Sequence, residues 1–270
     1  MFLTRVRTGF LLLFAGCLFL SVSHIPAVLL VCLSAVAALA MAELAGPLGM
    51  KKPVMAVGGA VLCLVACHMD RLWMTVLLGM LFCGYLIAGW LMMTALPGKR
   101  EFHLWERLLM IAAVPVFVGV AGQLRLGDNG LYNLVLPVLT CAATDTFAYF
   151  VGRSFGKRPL APVVSPKKTL EGAVGGGLLA TVLLVILGMV LNMTGWRKIR
   201  LGHLCLYVLI ASAVGQFGDL YMSAVKRVAG IKDFSDVLPG HGGILDRLDS
   251  CLLALPLTYL FIGCFGQIFG

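Results

Sequence analysis

Long apolar runs constrain this chain more than any single motif does. A helix crosses a bilayer with about 17–25 predominantly apolar residues, and runs of that length fill most of the 270 positions. Only 12% of the residues are charged, about half the share usual in a soluble domain. The chain therefore reads as an all-α, polytopic integral membrane protein with about nine transmembrane helices and a polar site facing the cytoplasm. Helices are expected near 9–22, 26–43, 53–69, 72–95, 106–124, 131–151, 171–193, 201–221 and 250–269. The first two are divided by "SHIP" at 23–26, where Pro26 beside Ser23 and His24 suggests a tight turn; one very long helix is the alternative. The opening "MFLTRVRTGFLLLF" has the look of a signal peptide, but no small-residue cleavage site follows it, so it reads as a retained first span. A single membrane-embedded domain over 1–270 is expected, with 1–130 mainly N-terminal helices and 131–270 carrying the motifs described below.

The nine cysteines fall within or at the edges of these spans, with no CxxC pair. That pattern suits small apolar packing rather than metal or disulfide chemistry.

The net charge of +9 is distributed as a membrane protein requires. With nine spans and the N-terminus in the cytoplasm, sixteen of the 21 basic residues fall on the cytoplasmic side. Only Arg71, Arg125, Arg197, Lys198 and Arg200 fall on the other. Lys and Arg bias sets orientation in such chains, and a basic face attracts anionic lipid headgroups. The partner implied is the lipid bilayer, with no nucleic acid.

Acidic residues contribute little to orientation, so their clustering asks for another reason. Seven of the twelve lie within 145–171 and 219–249. In "GDLYMSAVKRVAGIKDFSDVLPGHGGILDRLDS", residues 218–250, Asp219 lies near the end of an apolar span, where an ionisable group is costly and marks a functional candidate. If the helix continues, Ser223, Lys226 and Arg227 follow Asp219 along one side; a purely structural Asp–Lys pair is the alternative. Asp246 and Asp249, three apart at the start of the last helix, project on one face. Asp219, Asp246 and Asp249 together offer oxygen ligands to Mg²⁺, a hard cation held by one or two carboxylates plus substrate phosphates. Gly240, Gly242 and Gly243 allow a backbone that approaches a phosphate and turns its amides inward. His241, Lys232 and Arg247 add donors.

The other segment, "TDTFAYFVGRSFGKRPLAPVVSPKKTLEG" at 144–172, places Asp145 near a span end. It then sets Ser165, Lys167, Lys168 and Thr169 just before a helix whose first turn holds Glu171. Hydroxyls and ammonium groups at a helix N-terminus suit a phosphate chain, though the Walker A spacing is missing. A juxtamembrane basic stretch with Glu171 as a capping residue is the alternative.

The run from Ser223 to Asp249, "SAVKRVAGIKDFSDVLPGHGGILDRLD", resembles the signature of the phosphatidate cytidylyltransferases, the CDP-diacylglycerol synthases. "SPKKTLEG" is similar to another element of that family, as is "DTFAYFVGRSFGK", which carries Phe147 where the family often has glycine. The resemblance covers about a third of the chain and implies an enzyme, a CTP:phosphatidate cytidylyltransferase that condenses CTP with phosphatidic acid to CDP-diacylglycerol and pyrophosphate. It also implies a Mg²⁺ requirement and a possible homodimer. The residue types fit that chemistry. The nucleophile is an anionic phosphate oxygen that needs no activating base, and the obstacle is repulsion between phosphates. Asp219, Lys226, Arg227, His241, Asp246 and Arg247 are the expected catalytic residues. Ser165, Lys168, Thr169, Ser223, Lys232, Gly242 and Gly243 are expected to bind substrate, and Asp219, Asp246 and Asp249 to bind metal. Asp145 joins the metal site or pairs with a cation, and Asp233 and Asp236 fit surface partners. Two rival readings remain. One is a transporter with broken helices, against which the polar groups gather at one face. The other is a CTP-dependent enzyme acting on another membrane lipid.

Overall fold

The computed structural model describes residues 2–94, 101–239 and 242–269, with side chains described from residue 7 onward except at 12 and 13. Helices dominate: α1 (Phe2–Val22), α2 (Pro26–Leu48), α3 (Lys52–His68), α4 (Arg71–Thr94), α5 (Leu104–Leu126), α6 (Gly130–Phe155), α7 (Leu170–Met193), α8 (Leu201–Val228), the four-residue α9 (Leu245–Leu248) and α10 (Cys251–Phe265). Among the described residues six of these, α2 and α4 to α8, are long and apolar enough to cross a membrane. The apolar parts of α1, α3 and α10 are shorter, at no more than 17 residues. The "SHIP" break is a turn. Ser23 and His24 fold back onto the Leu20 and Ser21 carbonyls, and Pro26 opens α2 at the position where its missing N–H costs nothing.

Successive helices alternate in direction, so the connections collect at two ends. At one end Arg125 Nε donates to Ser23 Oγ at 2.8 Å, and Gln123 donates to the Ala66 and Met69 carbonyls at 2.7 and 2.9 Å. At the other, Glu43 meets Ser235, and Lys168 meets Asp219. Two apolar cores lie between these ends. The larger joins α2, α3, α4 and α5 to α8 and α10, and the smaller joins α6 and α7 to the same two helices. α8 therefore runs along the seam between the halves, which is where its polar end can be reached from both.

Glycine lets α6 and α7 approach closely. A Cβ at Gly176 would fall 2.7 Å from the Ala148 backbone nitrogen, and one at Gly172 would fall 2.7 Å from the Ala148 carbonyl oxygen. Small residues at such contacts replace the hydrophobic driving force that lipid removes. Large apolar side chains such as Leu72, Trp73, Trp90, Val182 and Ile186 point outward, as a lipid-facing surface requires.

Two features differ from the sequence-based expectation. Residues 159–169 form a small antiparallel hairpin, β1 (Pro159–Ala161) with β2 (Ser165–Thr169), inside an otherwise helical chain. Asp246 lies on α9 and Asp249 just after it, rather than at the start of the last long helix.

Candidate active site

The two polar segments meet at the end of α8. Lys168, near the end of β2, forms an ion pair with Asp219 of α8, and Ser223 one turn on donates to the other Asp219 oxygen at 3.4 Å. The hairpin explains why Lys168 reaches. Leu170 N donates to the Arg158 carbonyl at 2.9 Å, closing the base of the hairpin, and Arg227 Nε donates to the Val164 carbonyl at 3.3 Å, tying its tip to α8. Thr169 caps α7, accepting from Gly172 N at 3.2 Å. Glu171 instead accepts from the Lys157 and Arg158 amides at 3.0 and 3.1 Å, closing the loop back on itself.

These residues wall a cavity of about 430 Å³, with Asp145, Tyr149, Arg153, Ser165, Lys167, Lys168, Thr169, Gln216 and Asp219 among its lining. It carries cations and hydroxyls on the hairpin side and carboxylates on the helix side. Asp249 adjoins the carboxylates. Its carboxyl is pushed up to about 7 by burial first and by the Asp219 charge second, with Lys226, the Ser250 amide and Lys168 opposing the rise. Three carboxyl groups, Asp145, Asp219 and Asp249, thus gather close to Lys168. A second, apolar cavity of about 400 Å³ between α7 and α8 shares Leu160, Ala173 and Gln216 with the first. Gln216 donates to the Ala173 carbonyl at 3.2 Å where the two join.

Lys226 and Asp246 form a separate centre. Their 2.7 Å ion pair is buried, and Asp246 also accepts from the Phe234 and Gly243 amides at 2.9 Å each. Lys226 Nζ lies 5.3 Å from the centre of the Phe234 ring. Each charge is thus paired and hydrogen-bonded, the condition under which burial is tolerated. Gly242 has a φ of 81°, in the left-handed region open to glycine, and its carbonyl accepts from Leu238 N at 2.9 Å. Because the Gly243 amide is committed to Asp246, this part of the glycine cluster holds its own loop rather than turning a free amide outward.

The remaining expected residues are placed as follows. Lys232, Asp233, Asp236, Arg227 and Arg247 are exposed, and Arg227 donates to the Val164 and Ile231 carbonyls. Gly240 and His241 lie outside the described residues. The structure brings Ser165, Lys168, Thr169, Asp145, Asp219 and Ser223 together with Asp249 beside them, and sets Lys226 and Asp246 apart. Among the described residues no three His, Cys, Asp or Glu side chains form a group able to hold a metal by themselves.

One functional candidate escaped the sequence reading. Glu43 of α2 is buried and accepts from Ser235 Oγ at 2.6 Å, Ile244 N at 2.9 Å and Leu245 N at 2.8 Å. The available signal was an acid near the end of an apolar span, the same signal that singles out Asp219.

Comparison with known proteins adds independent findings. A family model described as the cytidylyltransferase family matches residues 3–265. A phosphatidate cytidylyltransferase of Bacillus subtilis (strain 168) is 36% identical over 185 residues, which is 67% of this chain and 67% of that protein. Proteins of the same name from Staphylococcus haemolyticus (strain JCSC1435) and Staphylococcus aureus (strain COL) are 40% and 39% identical over 165 and 170 residues. Each of those matches covers 61% of this chain and 62% of the relative, a little under two thirds.

Proposed function

The chain belongs to the cytidylyltransferase family, and from that premise we propose that it is a CTP:phosphatidate cytidylyltransferase making CDP-diacylglycerol and pyrophosphate. The observation that carries the reading is the junction of a charged cavity with an apolar one at Gln216. Phosphatidic acid cannot withdraw its acyl chains from the bilayer, while CTP is confined to water. A site serving both needs a polar chamber that opens onto an apolar one, and the cavities on either side of Gln216 have that form.

The reaction is a displacement at phosphorus. A phosphate oxygen of phosphatidic acid forms a bond to the α-phosphorus of CTP, the bond from that phosphorus to the β-phosphate bridging oxygen breaks, and pyrophosphate leaves with the electron pair. The nucleophile is already anionic, so rate comes from alignment and neutralisation of repelling charges. Lys168, Lys167 and Arg153 line the chamber and meet phosphate oxygens. Ser165 and Thr169 offer hydroxyl donors. Asp219 holds Lys168 at the wall between hairpin and helix, and Ser223 fixes the orientation of Asp219.

Magnesium fits this donor set. Asp219 and Asp249 present hard oxygen ligands, and two carboxylates completed by substrate phosphates are the usual arrangement for Mg²⁺. When bound there, Mg²⁺ supplies positive charge against the phosphate oxygens. Asp246 already accepts three hydrogen bonds, so the reading gives Asp219 and Asp249 the metal and gives Asp246 the work of holding Lys226. The basic excess on the loops around the chamber supports a cytoplasmic orientation in the cell membrane.

The test is pyrophosphate release by the purified protein in detergent with phosphatidic acid, CTP and Mg²⁺. Release that requires the lipid, and that ATP does not support in place of CTP, is the expected result. Pyrophosphate release only with an ether-linked lipid phosphate, or CDP formation with an isoprenoid alcohol, would move the substrate to another lipid, and no turnover with any lipid would overturn the reading.

A further inference from the structure

One buried acid has no part in this chemistry. Glu43 is 9% exposed within α2, and an ionised carboxylate at such a position is costly unless its lone pairs are filled. They are filled by donors 192 to 202 positions away in the chain: Ser235 Oγ, Ile244 N and Leu245 N. The fit is close: a Cβ at Gly243 would stand 2.6 Å from a Glu43 oxygen, so any side chain there would displace the carboxylate. On the other side of the same loop Asp246 takes the Gly243 and Phe234 amides and pairs with Lys226. Three successive amides, 243 to 245, are thus divided between two carboxylates, one from α2 and one from the loop itself. Glu43 does not line the charged cavity.

We infer that Glu43 is a positioning residue for cytidylyl transfer: by holding the Ile244 and Leu245 amides it sets the loop on which Asp246 orients Lys226 and from which Asp249 reaches Asp219. The inference rests on the proposed activity for its kinetic consequence, and on the hydrogen bonds alone for its structural one. It gives α2, far from the motifs in sequence, a share in the site.

Full-length protein in detergent would be compared as wild type, Glu43→Gln and Glu43→Ala, each also in an Asp249→Asn background. Hydrogen exchange at residues 243–246 needs no turnover; it is expected to speed up in both Glu43 variants while α5 and α8 keep their protection. Glu43→Ala is expected to lower kcat by about 100-fold, the scale of a misplaced catalytic group. Glu43→Gln, which keeps one acceptor oxygen, is expected to retain more. In the Asp249→Asn background the Glu43 change should add little, because both act through one loop. Unchanged exchange at 243–246 would overturn the inference. So would losses that multiply in the double variants to within about twofold, the behaviour of independent sites. A wild type without turnover would sink the activity and leave the exchange result to judge Glu43.

Discussion

Two lysine–aspartate pairs, alike in chemistry, have opposite surroundings. Lys226 and Asp246 are 10% and 3% exposed, and the carboxylate takes two further backbone donors. Lys168 and Asp219 are 31% and 20% exposed on the wall of a cavity, with Asp145 and Asp249 crowding the acid. In the first pair the carboxylate is already filled by one ammonium and two amides. The second has neighbouring carboxyl groups and an opening, so a phosphate or a cation entering there gains partners. Satisfaction, more than burial, separates a structural ion pair from a binding one.

Replacing one member of each pair should sharpen that contrast. Asp219→Asn removes a charge from the open site and is expected to lower turnover by about 10²–10³-fold, the range for loss of one electrostatic group. Its unfolding midpoint should move little, which a thermal melt in detergent would check. Lys226→Met strands the Asp246 carboxylate in the interior and should destabilise the fold by about 3–5 kcal/mol. Adding Asp246→Asn, which removes the charge and keeps an acceptor for the Phe234 and Gly243 amides, should restore much of that loss; an equally unstable double variant would show that the pair does more than balance its own charge.

Smaller effects probe the edges of the open site. Gly177 lines the apolar cavity, and a Cβ there would meet Ser212 Cβ at 3.4 Å. Gly177→Leu should therefore raise KM for long-chain phosphatidic acid while sparing a short-chain, water-dispersed analogue, and equal KM changes for both would detach this cavity from the acyl chain. Thr169→Ala removes the α7 cap and is expected to cost about 1 kcal/mol, visible as a small drop in the melting midpoint.

Hydropathy located the helices well because lipid imposes length and polarity on every span. The expected 171–193 and 201–221 correspond to α7 at Leu170–Met193 and α8 at Leu201–Val228. The extra turns of α8 carry Ser223 and Lys226, polar by composition yet helical because each finds a partner. The hairpin was not legible: "SPKKT" combines a proline and two lysines, residue types depleted from strands. The spacing of Asp246 and Asp249 suggested one helical face; α9 ends between them, with Asp246 paired to Lys226 and Asp249 adjoining Asp219. Glu43 carries the same local signal as Asp219, an acid near a span end, but its partners were not legible. Its donors lie about two hundred positions away, and no local pattern records a contact of that range.

The most direct measurement is the initial rate of CTP- and phosphatidate-dependent pyrophosphate release by Lys168→Met, paired with its melting curve. Lys168 lies on an exposed hairpin and joins Asp219 at the cavity wall, so its loss should leave the fold intact. The account predicts a rate at least about 100-fold lower than wild type with an unchanged midpoint. A rate close to wild type in a well-folded variant would contradict it, because the open pair would then be no more involved in the transfer than the closed one.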